Sequence, residues 1–208
     1  YLLNQAGIEC CMVSSDLLNH AWNLIRLDGE WYQVDVTWDD PTWDQVGRSG
    51  HTYMFRSDNA FGHLDKSTNA KDWKVTVRAD VVDYTATDTR YDEAFWTACN
   101  SPLVMADGNY YYTAYDNGAK LKKRAMDGSE EGIVCDIGIW PACGSDAYWP
   151  YAYYGLFLND NRLYYNDNQS IYSIALDGTD RKTEFTADTK NGYIYRSALR
   201  WGKVYYSL

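Results

Sequence analysis

The sequence predicts an α+β unit followed by an all-β array of propeller-like repeats. Residues 1–80 mix one short helical stretch with alternating strands and loops. Residues 101–208 read as short strands throughout, punctuated by Asp-Gly, Asn-Gly and Gly-Lys turns. Three segments of this second part repeat: Gly108-Asn109-Tyr110-Tyr111-Tyr112, Asn161-Arg162-Leu163-Tyr164-Tyr165 and Gly202-Lys203-Val204-Tyr205-Tyr206. Met126-Asp127-Gly128-Ser129 likewise recurs as Leu176-Asp177-Gly178-Thr179. Repeats spaced by about 40–50 residues with several strands each are the signature of propeller blades. Residues 81–100 are expected to link the two parts.

The first part is justified element by element. Tyr1–Ala6 reads as a helix with Gly7 as its C′ residue, where a left-handed backbone is needed. Ile8–Ser14 reads as a mostly buried strand. His20–Leu27 and Trp31–Trp38 alternate around Asp28-Gly29, a strong hairpin signal. Thr52–Arg56 is a further strand, and Ser57 or Asp58 is placed to cap a short helix through Asn59-Ala60-Phe61. Lys74–Val77 closes the unit as a last strand. The chain starts without Met inside the helix and stops at Leu208 inside a strand, so both ends are expected to be cut from a longer protein.

Composition narrows the function classes. The 208 residues carry 19 Lys plus Arg against 29 Asp plus Glu, a net charge of −10. That balance argues against nucleic acid or an anionic membrane as the main partner. The 20 Tyr, 9 Trp and 5 Phe exclude a disordered chain. No apolar run is long enough to span a membrane. Cys10, Cys11, Cys99, Cys135 and Cys143 form neither a CxxC pair nor a disulfide framework, so buried thiols with one bridge between Cys135 and Cys143 are expected. Asp39-Asp40-Pro41 reads as a turn, not a calcium loop, and no metal or organic cofactor is implied. The acidic, Tyr-, Asn- and Asp-rich composition points to a secreted or cell-surface protein.

The hairpin holds the candidate site. With Asp28-Gly29 as a two-residue turn, Leu27 faces Glu30, Trp22 faces Asp35 and His20 faces Thr37. Alternation then places His20, Trp22, Leu24, Gln33, Asp35 and Thr37 on one face. His20 and Asp35 become diagonal neighbours within reach of an imidazole–carboxylate hydrogen bond. A histidine oriented by an aspartate is two thirds of a nucleophile–base–orienter constellation, although a plain structural pair has the same pattern. Trp22 and Trp38 flank the pair as groove walls or as core. His51 and His63 read as ordinary surface residues.

Leu2-Leu3-Asn4-Gln5-Ala6-Gly7-Ile8-Glu9-Cys10, His20-Ala21-Trp22-Asn23 and Asp28-Gly29-Glu30-Trp31-Tyr32-Gln33-Val34-Asp35-Val36-Thr37-Trp38-Asp39-Asp40-Pro41 together resemble the C-terminal half of a bacterial transglutaminase-like domain. The resemblance covers residues 1–80. It implies a papain-like α+β fold and a Cys-His-Asp triad with His20 and Asp35 as its last two members. The family's cysteine opens the helix before the His and Asp strands, where the helix N-terminus depresses a thiol pKa. In this chain that position falls before Tyr1, and Cys10 and Cys11 follow the helix and match no nucleophile. The implied parent acts on peptide or glutamine amide bonds, with water (a protease or amidase, the preferred outcome) or an amine as acceptor. This chain by itself is expected to be inactive. The rival reading is a non-catalytic surface protein on a degenerate scaffold, with a glycan or protein held by the aromatic repeats, above all the insertion Trp140–Gly155. The repeats themselves resemble a bacterial propeller-like domain of unknown function.

Overall fold

The computed structural model describes residues 2–40, 49–99, 101–115, 118–138, 155–167, 169–188, 190, 194 and 196–207. These form two compact units, Tyr1–Asp40 with His51–Ala98, and a second that holds Cys99–Leu208. The α+β expectation does not hold for the described residues. They form many antiparallel strands and two one-turn α-helices. Apart from Leu2–Gln5 the apolar residues of the first unit recur with period two, which supports pleated strands and no long helix. No helix among the described residues is long and apolar enough to cross a membrane.

The first unit opens with α1 (Leu2–Gln5), closed by Gly7 at φ +79°. The Gly7 N–H donates to Asn4 O and the Ile8 N–H to Leu3 O, which satisfies carbonyls the helix leaves open. An antiparallel sheet follows, with β1 (Cys10–Ser15), β2 (His20–Leu27), β3 (Glu30–Val34), β4 (Met54–Arg56), β5 (Lys74–Val77) and β6 (Asp80–Val82) in the order β4-β3-β2-β1-β5-β6. Asp28 (φ +52°) and Gly29 (φ +90°) make the expected two-residue turn, and Leu27 lies opposite Glu30.

Strand β3 ends four residues before the expected Trp38. Asp35 instead caps a one-turn helix, α2 (Val36–Asp39), and its carboxylate accepts from the Thr37 and Trp38 N–H groups. Thr37 therefore does not pair with His20, and Asp39 is helical rather than part of a turn. Aspartate is a poor strand residue and a strong N-cap. A bulge helps the chain to leave the sheet: Gln33 pairs with Arg56 and Val34 with Met54, so Phe55, at φ +58°, is the extra residue. The expected helix at Asn59-Ala60-Phe61 is only a turn, in which Ser57 Oγ accepts from the Ala60 N–H.

One sheet face packs Cys11, Val13, Trp22 and Leu24 with Phe61, Val75 and Ala86. The other buries Ile25 and Tyr32. The expected linker 81–100 is largely part of this unit. Val81 and Val82 pair in β6. Tyr84 stacks on Trp31 at 4.8 Å, Tyr91 meets Tyr32 at 5.2 Å, and Asp92 accepts from Ser57 N and Oγ at 2.8 and 2.7 Å. Trp31 and Tyr32 point to opposite faces, so this segment supplies cover to both, which a two-layer domain needs.

The second unit holds two four-stranded antiparallel meanders and a hairpin. The first contains β7 (Val104–Ala106), β8 (Asn109–Tyr115), β9 (Ala119–Ala125) and β10 (Glu131–Gly138). The second contains β11 (Leu156–Asn159), β12 (Arg162–Asn166), β13 (Ser170–Ala175) and β14 (Lys182–Thr186), and the hairpin pairs β15 (Arg196–Arg200) with β16 (Lys203–Ser207). The repeat is longer by one strand than its sequence pattern, because β7 and β11 are too short to show alternation. Its turns Asp107-Gly108, Asp160-Asn161 and Trp201-Gly202 all have both central residues at positive φ.

Tyr111, Leu121 and Ile137 of the first meander pack against Leu163, Tyr165 and Ile174 of the second. Tyr111 aligns in the repeat with Tyr164, which lies on the opposite face of its sheet from Leu163. The sheets thus stack front to back, as successive units of an array do. The described sheets close no ring. The repeat tyrosines Tyr111, Tyr112 and Tyr165 are buried, which favours packing over ligand binding for them. Cys135 Sγ donates to Tyr165 Oη at 3.3 Å. Cys135 is thus a free thiol, against the expected bridge to Cys143. Cys143 itself and residues 140–154 of the aromatic insertion lie outside the described residues, and with them the expected binding face.

Leu163 is fully buried between the two meanders. Leu163→Ala should cost about 2–5 kcal/mol of unfolding free energy in urea, through lost transfer energy and the cavity left behind. Exposed Val81→Ala should stay within about 0.5 kcal/mol of the parent.

Candidate functional site

The site is built on the sheet face of β2 and β3. Leu24 lies opposite Gln33, so the face that carries Trp22 and Leu24 also carries Gln33 and Asp35. Its side chains are tied together. Trp22 Nε1 donates to Gln33 Oε1 at 2.7 Å, and Gln33 Nε2 donates to Asp58 Oδ1 at 2.7 Å. Beyond it, Asp58 Oδ2 pairs with Lys71 Nζ at 3.2 Å. At the head of β2, Ser15 lies opposite His20, and Ser15 Oγ donates to Asp72 at 2.5 Å. Asp72 also accepts from the Asp16 and Leu17 N–H groups, which fixes the turn that delivers His20.

The structure brings together the two sequence-predicted residues. His20 Nε2 lies 2.6 Å from Asp35 Oδ2. A third group shares that oxygen: His63 Nε2, at 2.7 Å. The remaining oxygen, Oδ1, accepts from the Thr37 N–H at 2.9 Å and the Trp38 N–H at 3.1 Å. Asp35 also donates its own N–H to Tyr53 O at 3.1 Å. The carboxylate is 1% exposed. Burial pushes its pKa up, but the hydrogen bonds from His63, His20 and the Trp38 N–H outweigh burial and hold it below the usual carboxylate range.

His63 corrects the sequence reading. It is not a surface residue but is fully buried, and His51 is buried as well. His63 Nδ1 lies 3.2 Å from Phe61 O, and Trp73 Nε1 donates to His63 O at 2.7 Å. Its ring stacks between Phe61 at 3.8 Å and Trp38 at 4.0 Å. Nothing local in the sequence marks it. It sits in a loop 28 positions from Asp35, and only the fold brings the two together.

The two tryptophans differ. Trp22 is 4% exposed and supports His20 from within, with stacked rings 5.7 Å apart. Trp38 is 39% exposed and stacks on the other side of His20 at 5.2 Å. The His20 side chain keeps 14% exposure, and among the described residues no hydrogen-bond partner falls on its Nδ1. Close by, Asp39 accepts from the Tyr53 N–H at 3.0 Å. Burial pushes its carboxyl up, against that bond.

Neither Cys10 nor Cys11 reaches His20. Cys11 lies opposite Leu24, four residues along from the Ser15–His20 pair, or about 13 Å at strand spacing. Burial and the nearby Cys10 and Glu9 push its thiol up to about 11. Burial raises the Cys10 thiol too, and Cys10 belongs to the opposite face. Both are the reverse of an activated nucleophile. The atoms His20 Nε2, Asp35 Oδ2 and His63 Nε2 also form the one group of potential metal-ligating side chains among the described residues. No family model and no curated protein matches the chain.

Asp35→Asn keeps a capping side chain and removes the charge. At pH 7 it should lower the unfolding free energy by about 3 kcal/mol, because the buried donors around it lose a charged acceptor. Because the folded carboxyl is depressed, its stabilisation is complete above the unfolded value of about 3.9 and is lost as pH falls through the folded value. The gap between parent and variant, followed by urea unfolding, should therefore close below about pH 4.

Proposed function

We propose that residues 1–98 carry the base and orienting residues of a thiol acyl-transfer site of the transglutaminase-like type, acting on peptide or glutamine amides. The observation that carries this reading is the 2.6 Å contact between His20 Nε2 and Asp35 Oδ2, which leaves His20 Nδ1 without a partner among the described residues, beside the exposed Trp38. Asp35 fixes the tautomer with its proton on Nε2, so the lone pair on Nδ1 is the one offered to a reacting thiol.

In the reaction the thiol proton moves to His20 Nδ1 as sulfur attacks the amide carbon. The imidazolium returns that proton to the leaving nitrogen as the C–N bond breaks and a thioester forms. Water then attacks the thioester to give an acid, or an amine attacks to give a new amide. His20 takes the proton of the incoming nucleophile and returns it to the sulfur. Asp35 stabilises the imidazolium in each half, and Trp38 walls the groove. The attacking thiol belongs to a cysteine before Tyr1 in this reading, and the repeated sheets of the second unit are blades of a propeller-like array. The placement is extracellular or at the cell surface, in keeping with the net charge of −10.

The test uses the complete polypeptide that includes this sequence. It should release ammonia or amine from a peptide amide, with water as the favoured acceptor over added primary amine. His20→Ala should lower kcat about 10²–10⁴-fold with little change in KM. Unchanged turnover in that variant, or no thioester trapped at any cysteine, would remove the hydrolase reading.

A further inference from the structure

We propose that His63 is a positioning residue of this site, an imidazolium that neutralises Asp35 and so keeps His20 neutral, with a bare Nδ1, in the resting state. The inference deepens the acyl-transfer reading and rests on it for its functional meaning.

The argument is a count of donors. A carbonyl oxygen only accepts, so His63 Nδ1, 3.2 Å from Phe61 O, carries a proton. An ionised carboxylate also only accepts, so His63 Nε2, 2.7 Å from Asp35 Oδ2, carries a second. His20 differs: among the described residues only its Nε2 faces an acceptor. Were the single positive charge on His20, one nitrogen of His63 would point a lone pair at an oxygen. Were both imidazoles neutral, Asp35 would be an uncompensated charge at 1% exposure. The charge belongs on His63.

The surroundings suit a cation there. Its ring lies between the faces of Phe61 and Trp38, at 3.8 and 4.0 Å, where aromatic quadrupoles attract positive charge. Tyr53 meets its edge at 5.0 Å. Besides Asp35 and His20, the titratable or charged groups around it among the described residues are the Tyr53 hydroxyl, Asp39 and His51, and the Asp58–Lys71 pair beyond Trp22 and Gln33. The chemical consequence is a choice between two thiol mechanisms. With Asp35 already neutralised, His20 waits as a neutral base and takes the proton during attack. It does not rest as half of a thiolate–imidazolium pair.

The experiment is nitrogen-15 NMR of the imidazoles in this 208-residue chain at neutral pH. The expected result is protons on both nitrogens of His63, and on Nε2 alone of His20. His63→Gln keeps a donor to Asp35 but removes the charge, so His20 should then gain a proton on Nδ1. His63→Phe should do the same. A single proton on His63 in the parent would overturn the proposal. So would an unchanged His20 pattern in a folded His63→Gln, which would make His63 a packing residue. Stoichiometric zinc binding that removes the protons from both Nε2 atoms would overturn it as well, in favour of a metal site. The spectra need no turnover. If they come out as expected and the complete polypeptide cleaves no amide, the acyl-transfer reading fails and the charge assignment stands.

Discussion

The carboxylate of Asp35 organises the first unit. It is buried, and it takes hydrogen bonds from His20 on β2, His63 in a loop, and two backbone N–H groups of α2. Its own N–H reaches Tyr53 O. One residue therefore ends a strand, starts a helix and holds two imidazoles. Burying such a charge is costly unless it is fully paired, and removing any one donor leaves the rest under-compensated. The chain invests a whole shell in that pairing: the Ser15–Asp72 turn that delivers His20, the Phe55 bulge that frees β3, and the Trp73 contact that pins His63.

The aromatic shell gives this pairing its chemical setting. Trp22, Phe61 and Trp73 exclude water from the inner side, and Trp38 alone of the tryptophans stacked on His20 is open to solvent. Charge–dipole interactions strengthen in such a setting. Within this shell the His20 side chain keeps 14% exposure, as the proposed base would need. Cys10 and Cys11 lie too far along β1 to reach that imidazole, and burial raises both thiols.

The sequence made part of this legible. Asp28-Gly29 and the alternation of His20–Leu27 set the register, and the register put His20 near Asp35. That inference needed only period two and a known turn length. What the pattern could not show was competition. Val36-Thr37-Trp38 continues the alternation of β3, yet the capping power of Asp35 turns it into a helix. His63 was illegible for a different reason: its role depends on a contact across 28 positions, with no periodicity around it. In the second unit the tyrosine repeats and Asp-Gly turns announced the sheets, while β7 and β11 were too short to register. Residues 81–98 looked like a linker because they hold little regular structure, but the β6 pairing and contacts of Tyr84, Tyr91 and Asp92 fix them to the first unit.

The central claim is that His20 and His63 are coupled through Asp35. A double-mutant cycle of His20→Ala and His63→Phe on folding stability tests it most directly, run once with Asp35 present and once with Asp35→Asn. The account predicts a coupling energy above about 0.5 kcal/mol in the first cycle, falling to within about 0.5 kcal/mol of zero in the second. Additive effects with Asp35 in place, or a coupling that survives the loss of its charge, would contradict it.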